Sequence, residues 1–145
     1  MNKNVFIAHG RSVKERDELA EIVREFGCNP IIMQLEEKGG GALIEEFETL
    51  AKKCVFALIL LTPDDPQATS LKDEEIFHAR QNVIFEMGWF YRSLGKSCTR
   101  LIYKKEVELP SDVTGIVYIK FSESVYEKRD SIRRSLVEGG LVEPT

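Results

Sequence analysis

The sequence predicts a doubly wound α/β fold: a five-stranded parallel sheet of flavodoxin-like order 2-1-3-4-5, with helices on both faces. Three observations carry this. Short apolar runs alternate with amphipathic stretches along most of the chain, the pattern of successive βαβ units. Residues 55–61, VFALILL, are apolar without a break, as a central strand buried on both faces must be. Glycines stand where two of the helical patterns stop, at Gly27 and Gly95.

The elements follow in order. Residues 4–8 form a first strand ending in a turn at His9-Gly10-Arg11-Ser12. Ser12 and Glu15 have the spacing of a capping box for a helix over 13–26, with Leu19, Ile22, Val23 and Phe26 inward. Pro30 opens a short second strand, which suits a sheet edge. A polar loop over 34–41 closes on three glycines, and a helix over 42–53 turns Leu43, Ile44, Phe47 and Leu50 inward. After the central strand comes the rigid acidic turn TPDDP, a polar loop, and a helix over about 76–94. Strands over 99–103 and 116–119 and a charged helix over 123–137 complete a single domain, 1–138. Residues 139–145 read as a tail or the start of a linker.

The totals exclude several classes. A chain of 145 residues, 43% hydrophobic and 30% charged, holds one domain with an ordinary core. A net charge of −4 leaves no footprint for nucleic acid or an anionic membrane. No apolar run approaches the roughly 20 residues that span a bilayer, and no signal pattern precedes the first strand. Three cysteines without CxxC spacing fit a reducing cytoplasm, and with only two histidines no zinc site is expected.

The predicted topology places a ligand beyond the carboxyl ends of strands one and three, where the strand order reverses. Gly10 there allows close backbone approach, and Arg11 could hold a phosphate beside a helix N-terminus. No GxGxxG or GxxxxGK[ST] loop occurs. Gly40 and Gly41 belong to a loop that could close as a lid, or be a plain surface connection. Asp64 and Asp65 could bind ribose hydroxyls or a metal, or simply serve their turn. The stretch 80–90, RQNVIFEMGWF, is the focus of the chain. Its apolar residues require that most of the helix be covered, and they surround one carboxylate, Glu86. Asn82 lies four residues before Glu86 and Trp89 three after, so amide, carboxylate and indole can share a face suited to a sugar. The alternative is a core helix whose Glu is solvated.

The segments VFIAHGR, FGxxPII, LLTPDD and above all ARQNVIFEMG resemble the bacterial TIR-like domains that act as effectors in cyclic-nucleotide antiphage systems, some fused to STING-like receptors. The resemblance runs from Asn4 to about Ile119. It implies a TIR-like five-stranded parallel sheet and an NAD+ glycohydrolase that gives nicotinamide and ADP-ribose or its cyclic form, with NAD+ as substrate and no cofactor. It implies that Glu86 is the catalytic residue and that 34–41 is the lid. Arg11 with helix amides would hold the diphosphate, and Trp89 or a lid residue could contact a ring. The family picture also implies activation by TIR–TIR self-association, driven by a cyclic-nucleotide sensor domain or partner outside this chain.

Three rivals stand beside it. One is a TIR module that assembles without hydrolysing. Another is a phosphoacceptor receiver domain, whose acidic pair after strand one is replaced here by His9-Gly10-Arg11. The third is a deoxyribosyltransferase.

Overall fold

The computed structural model describes residues 1–10, 12–33, 40–63, 73–107 and 115–144, with the backbone alone at 40–43 and 73–82. Five strands form one parallel sheet: β1 (Asn4–His9), β2 (Asn29–Ile32), β3 (Phe56–Leu61), β4 (Thr99–Lys104) and β5 (Val117–Phe121). Their order is β2-β1-β3-β4-β5, as the sequence predicts. Val5 pairs with Phe56 and His9 with Leu60, which brings the carboxyl ends of β1 and β3 side by side. The strand that begins with Asn29 and Pro30 is an edge, where proline's missing amide costs no ladder bond.

The helices are α1 (Val13–Glu25), α2 (Gly40–Ala51), α3 (Asp73–Leu94) and α4 (Arg129–Glu138). Strand alternation divides the core into two. Val5, Ile7, Phe56, Leu58 and Leu60 meet Leu19, Ile22 and Val23 of α1 and Ile132 and Leu136 of α4. On the other face Phe6, Ala8, Ala57, Ile59 and Leu101 meet Phe47 of α2 and Val83, Met87 and Phe90 of α3. Strand β3 supplies both cores, which is why its sequence never alternates.

Gly27 ends α1 with φ +82°. The Gly27 amide donates to the Arg24 carbonyl at 3.0 Å and the Cys28 amide to the Val23 carbonyl at 3.1 Å, the paired bonds of a Schellman ending.

Several expectations are corrected. Ser12 stands at the N-cap of α1 but its side chain makes no capping bond, and Glu15, which the box needs at the rim, is buried. A complete capping box forms instead between Ser124 and Glu127, heading a 3-10 turn over Val125–Lys128 that precedes α4. Helix α2 starts at Gly40, so Gly40 and Gly41 are in its first turn and not in a loop. Glycine's weak helix propensity is a small bias that tertiary packing overrides. Helix α3 begins at Asp73, earlier than its apolar pattern indicates.

The residues after α4 join the core. Leu141 is buried, and Gly139 lies against the ring of Phe56, where an added Cβ would come within 2.5 Å of Cε2. Phe56 is fully buried and has no room to yield. Gly139→Ala is expected to destabilise the fold by about 1–3 kcal/mol, the usual cost of overpacking. Urea denaturation measures this; a midpoint equal to that of the parent would contradict the contact.

Candidate functional site

Helix α3 follows a parallel strand and packs back on the sheet, so its start lies toward the strands' carboxyl ends. Phe90 of α3 meets Phe6 of β1, with ring centroids 4.9 Å apart. Glu86 stands one turn earlier, about 6 Å closer to those carboxyl ends. Two strand residues beyond Phe6, a similar rise, comes Ala8 on the same face. Residues 83, 86, 87 and 90 form one stripe at helical spacing, so Glu86 occupies a position that the pattern reserves for the core.

Aromatic contacts fix that stripe. Phe47 of α2 lies edge-on to Phe6 at 5.5 Å, Phe90 at 5.7 Å and Trp89 at 5.5 Å. Trp89 also meets Phe90 at 5.1 Å. Such pairs add about 0.5–1.5 kcal/mol each beyond their buried area, so α2, α3 and β1 are held as a unit.

Glu86 is 8% exposed, and among the described residues nothing hydrogen-bonds or ion-pairs with its carboxyl. Burial pushes its pKa up to about 8, which makes it an uncharged acid at neutral pH.

His9 closes β1 at the switch point. Its Nδ1 lies 2.6 Å from the Gly10 carbonyl, which can only accept, so Nδ1 carries the proton. Burial lowers the pKa of the ring and keeps it neutral. Nε2 is buried and makes no hydrogen bond of good geometry among the described residues, although the Met33 backbone lies close enough to the ring to favour its protonated form. A Cβ built on Gly10 meets nothing within 4 Å, so core packing does not require glycine there.

The remaining predicted residues fare differently. Arg11, Asp64 and Asp65 lie outside the described residues. Asn82 is on α3 one turn before Glu86, with its backbone alone described. Gly40 and Gly41 give backbone amides in the first turn of α2. Trp89 is half-buried and engaged by Phe47 and Phe90, so only part of its ring is left for a ligand.

The expectation that most of α3 is covered fails on one side. Ile84 is 45% and Phe85 51% exposed, although both belong to the apolar run around Glu86. Periodicity locates the buried stripe, but composition alone does not tell which apolar residues miss it. Among the described residues, no group of three or more His, Cys, Asp or Glu could hold a metal ion. No helix among them is long and apolar enough to cross a membrane.

The model of the CAP12/Pycsar effector protein TIR domain matches residues 4–123. The chain belongs to this TIR domain family. The domain is 31% identical over 123 residues to the uncharacterized protein YuaY of Escherichia coli, covering 85% of this chain and 41% of that protein. It is 30% identical over 144 residues to the CD-NTase-associated protein 12 of Sphingobacterium faecium, covering 94% of this chain and 42% of that one. The Pycsar effector protein PaPycTIR of Pseudomonas aeruginosa is 36% identical over 80 residues, covering 54% of this chain and 25% of that protein. The TIR domain thus spans well under half the length of these relatives.

The raised pKa of Glu86 makes the stability of the domain depend on pH. The folded state keeps the proton up to about pH 8, whereas the unfolded chain loses it near 4.5. Between those values the folded state binds more protons, so stability falls as pH rises and levels off above about 8. Glu86→Gln removes this dependence. Its advantage over the parent is expected to grow from near zero at pH 4.5 to a few kcal/mol at pH 9, since each tenfold difference in proton affinity between the two states is worth about 1.4 kcal/mol. Urea unfolding across that range measures it; parallel profiles for the two proteins would count against the buried acid.

Proposed function

We propose that this TIR domain is an NAD+ glycohydrolase of antiphage defence, and that Glu86 is its catalytic residue. The observation that carries the reading is the position of Glu86: a carboxyl on the core stripe of α3, facing the same side of the sheet as Ala8, with no partner among the described residues. A fold gains nothing in stability from such a group, and carboxyls with strongly perturbed pKa values concentrate at active sites.

The chemistry suits a single carboxylate. Cleavage of the nicotinamide–ribose bond expels a neutral base from a pyridinium, so the leaving group needs no general acid. The transition state has oxocarbenium character, and an adjacent carboxylate stabilises it or holds the ribose hydroxyls. The product is nicotinamide with ADP-ribose or cyclic ADP-ribose.

His9 Nε2 would accept from a hydroxyl or amide of the substrate, and Gly10 would let the substrate approach the backbone. Arg11 and the first-turn amides of α2 at Gly40 and Gly41 would hold the diphosphate. Asp64, Asn82 and the open part of Trp89 would contact ribose and ring. The setting is cytoplasmic. Activation would come from self-association, with a cyclic-nucleotide sensor domain or partner outside this chain supplying the signal.

An assembly module without catalysis is the second reading, and it has its own support. Ile44 of α2 is 49% exposed and lies one turn from Phe47, which meets the exposed Phe85 with centroids 6.0 Å apart. Ile44, Ile84 and Phe85 are thus exposed apolar side chains on the outer surfaces of α2 and α3.

Chromatography of NAD+ incubated with concentrated protein and a crowding agent tests both readings. Nicotinamide release by the parent, reduced at least ~100-fold in Glu86→Gln, is the expected result, in line with the loss of a group that stabilises transition-state charge. Equal release by both would misassign the catalytic residue, and release by neither would favour the assembly module.

A further inference from the structure

We infer that Arg16 is a further substrate-binding residue of this domain, an arginine on the α1 face of the sheet that takes a phosphate of the dinucleotide while the nicotinamide ribose lies at Glu86 on the α3 face. The inference rests on the glycohydrolase reading and deepens it: the substrate crosses the end of β1, and the site selects for a phosphate-bearing nicotinamide riboside.

Strand β1 alternates to its last residue. Ala8 faces α2 and α3, whereas His9, in line with Val5 and Ile7, faces α1. Helix α1 leaves β1 through the turn at Gly10 and packs back on the sheet, so its first turn stands over the carboxyl end of β1. Arg16 closes that turn, with its amide donating to the Ser12 carbonyl at 3.4 Å. With Leu19, Ala20 and Val23 it makes one stripe at helical spacing, and those three are at most 2% exposed. Arg16 is therefore the end of the core stripe nearest the strands' carboxyl ends. Helical side chains lean toward the N-terminus of their helix, which carries the guanidinium further in that direction.

The guanidinium is covered and oriented there. The Arg16 side chain is 19% exposed. Its Nε donates to Asp17 Oδ1 at 3.0 Å, and Nη2 lies 3.0 Å from the same oxygen. After burial and the Gly10 carbonyl, the charge of Arg16 acts most strongly on the His9 ring, with Asp17 next, so the guanidinium stands near the side chain that ends β1. Asp17 is 62% exposed, and an ion pair with so open a partner adds little to stability. What the pair does is hold the guanidinium plane. A phosphate has more charge and more acceptor oxygens than this carboxylate, and the planar fork of arginine matches it, so it shares the guanidinium with Asp17 or displaces it.

Arg16 mirrors Glu86. Each occupies a core position one turn before the buried apolar residues of its helix, α1 on one face of the sheet and α3 on the other. Strand β1 ends between them, with Ala8 turned to one side and His9 to the other. In the dinucleotide the positive charge develops at the nicotinamide ribose and the negative charge lies on the diphosphate joined to it. A carboxyl and a guanidinium on opposite sides of one strand end meet those two parts in order.

NMR titration of concentrated protein with ADP, followed at the arginine Nε–Hε signals, tests the assignment, with adenosine as the control. The Arg16 signal is identified by its loss in Arg16→Gln. ADP is expected to shift it and adenosine to leave it in place. Arg16→Gln should bind ADP at least ~10-fold more weakly, the usual worth of a hydrogen bond to a charged group. Arg16→Lys, which keeps the charge and loses the fork, should fall between. In turnover, nicotinamide riboside offers the same scissile bond without a phosphate. The ratio of kcat/KM for NAD+ to that for nicotinamide riboside should drop at least ~10-fold in Arg16→Gln, whereas a merely structural role lowers both rates and leaves the ratio unchanged. An Arg16 signal unmoved by ADP, or an unchanged ratio, overturns the inference and leaves the glycohydrolase reading intact. Nicotinamide release from neither substrate overturns that reading, and the ADP titration then judges Arg16 alone: equal binding by the parent and Arg16→Gln rejects it.

Discussion

The aromatic contact set joining Phe6, Phe47, Trp89 and Phe90 is the constraint on which the site depends. It locks α2 and α3 against β1 in one register. With Phe90 seated on Phe6, the residue one turn earlier on α3 has no choice but to face the sheet near Ala8, and that residue is Glu86. A carboxyl would not remain there on its own account, because water solvates it better. It stays because the rings around it gain more from burial than the acid loses.

The two faces of the sheet divide structure from chemistry. On the α1 and α4 side the polar groups around Arg100 and Glu18 are engaged with their neighbours, while His9 at the end of β1 keeps Nε2 without a hydrogen bond among the described residues. The buried Arg100 guanidinium donates to Ser135 Oγ at 3.2 Å, to the carbonyls of Lys96, Ser97 and Thr99, and to Glu138 at 2.9 Å, and it lies over the Phe56 ring. Glu18 accepts from the Ser124 hydroxyl and the Val125 amide, which ties α1 to the turn before α4. A guanidinium that meets this many acceptors is fully committed. The α2 and α3 side keeps an acid without a partner among the described residues and an apolar outer face. These groups, with His9 at the carboxyl end of β1, are the ones still open to a ligand or a second protein.

Helix α3 serves three purposes through its periodicity. Its stripe at 83, 87 and 90 closes the core, Glu86 interrupts that stripe, and Ile84 and Phe85 carry apolar surface outward. The first two purposes oppose each other energetically, since ionising Glu86 weakens the fold that presents it. A stability that falls as pH rises is the thermodynamic trace of that opposition.

The sequence by itself determined the parallel sheet, its strand order, the edge strand at Pro30 and the helix stop at Gly27. Each follows from a local rule: an unbroken apolar run, alternating βαβ signals, proline's missing amide, glycine's access to positive φ. It also singled out Glu86, because a lone carboxylate in an apolar helix is visible as a string of letters. Only the tertiary structure decided that Glu86 faces inward while Phe85 faces out, since both belong to the same run and helical phase is set by what packs against it. Only the structure moved the capping box from Ser12 to Ser124, drew Gly40 and Gly41 into a helix, and left His9 Nε2 buried without a hydrogen bond among the described residues. Those outcomes depend on neighbours distant along the chain, and no spacing of letters encodes which of several permitted local arrangements the neighbours will select.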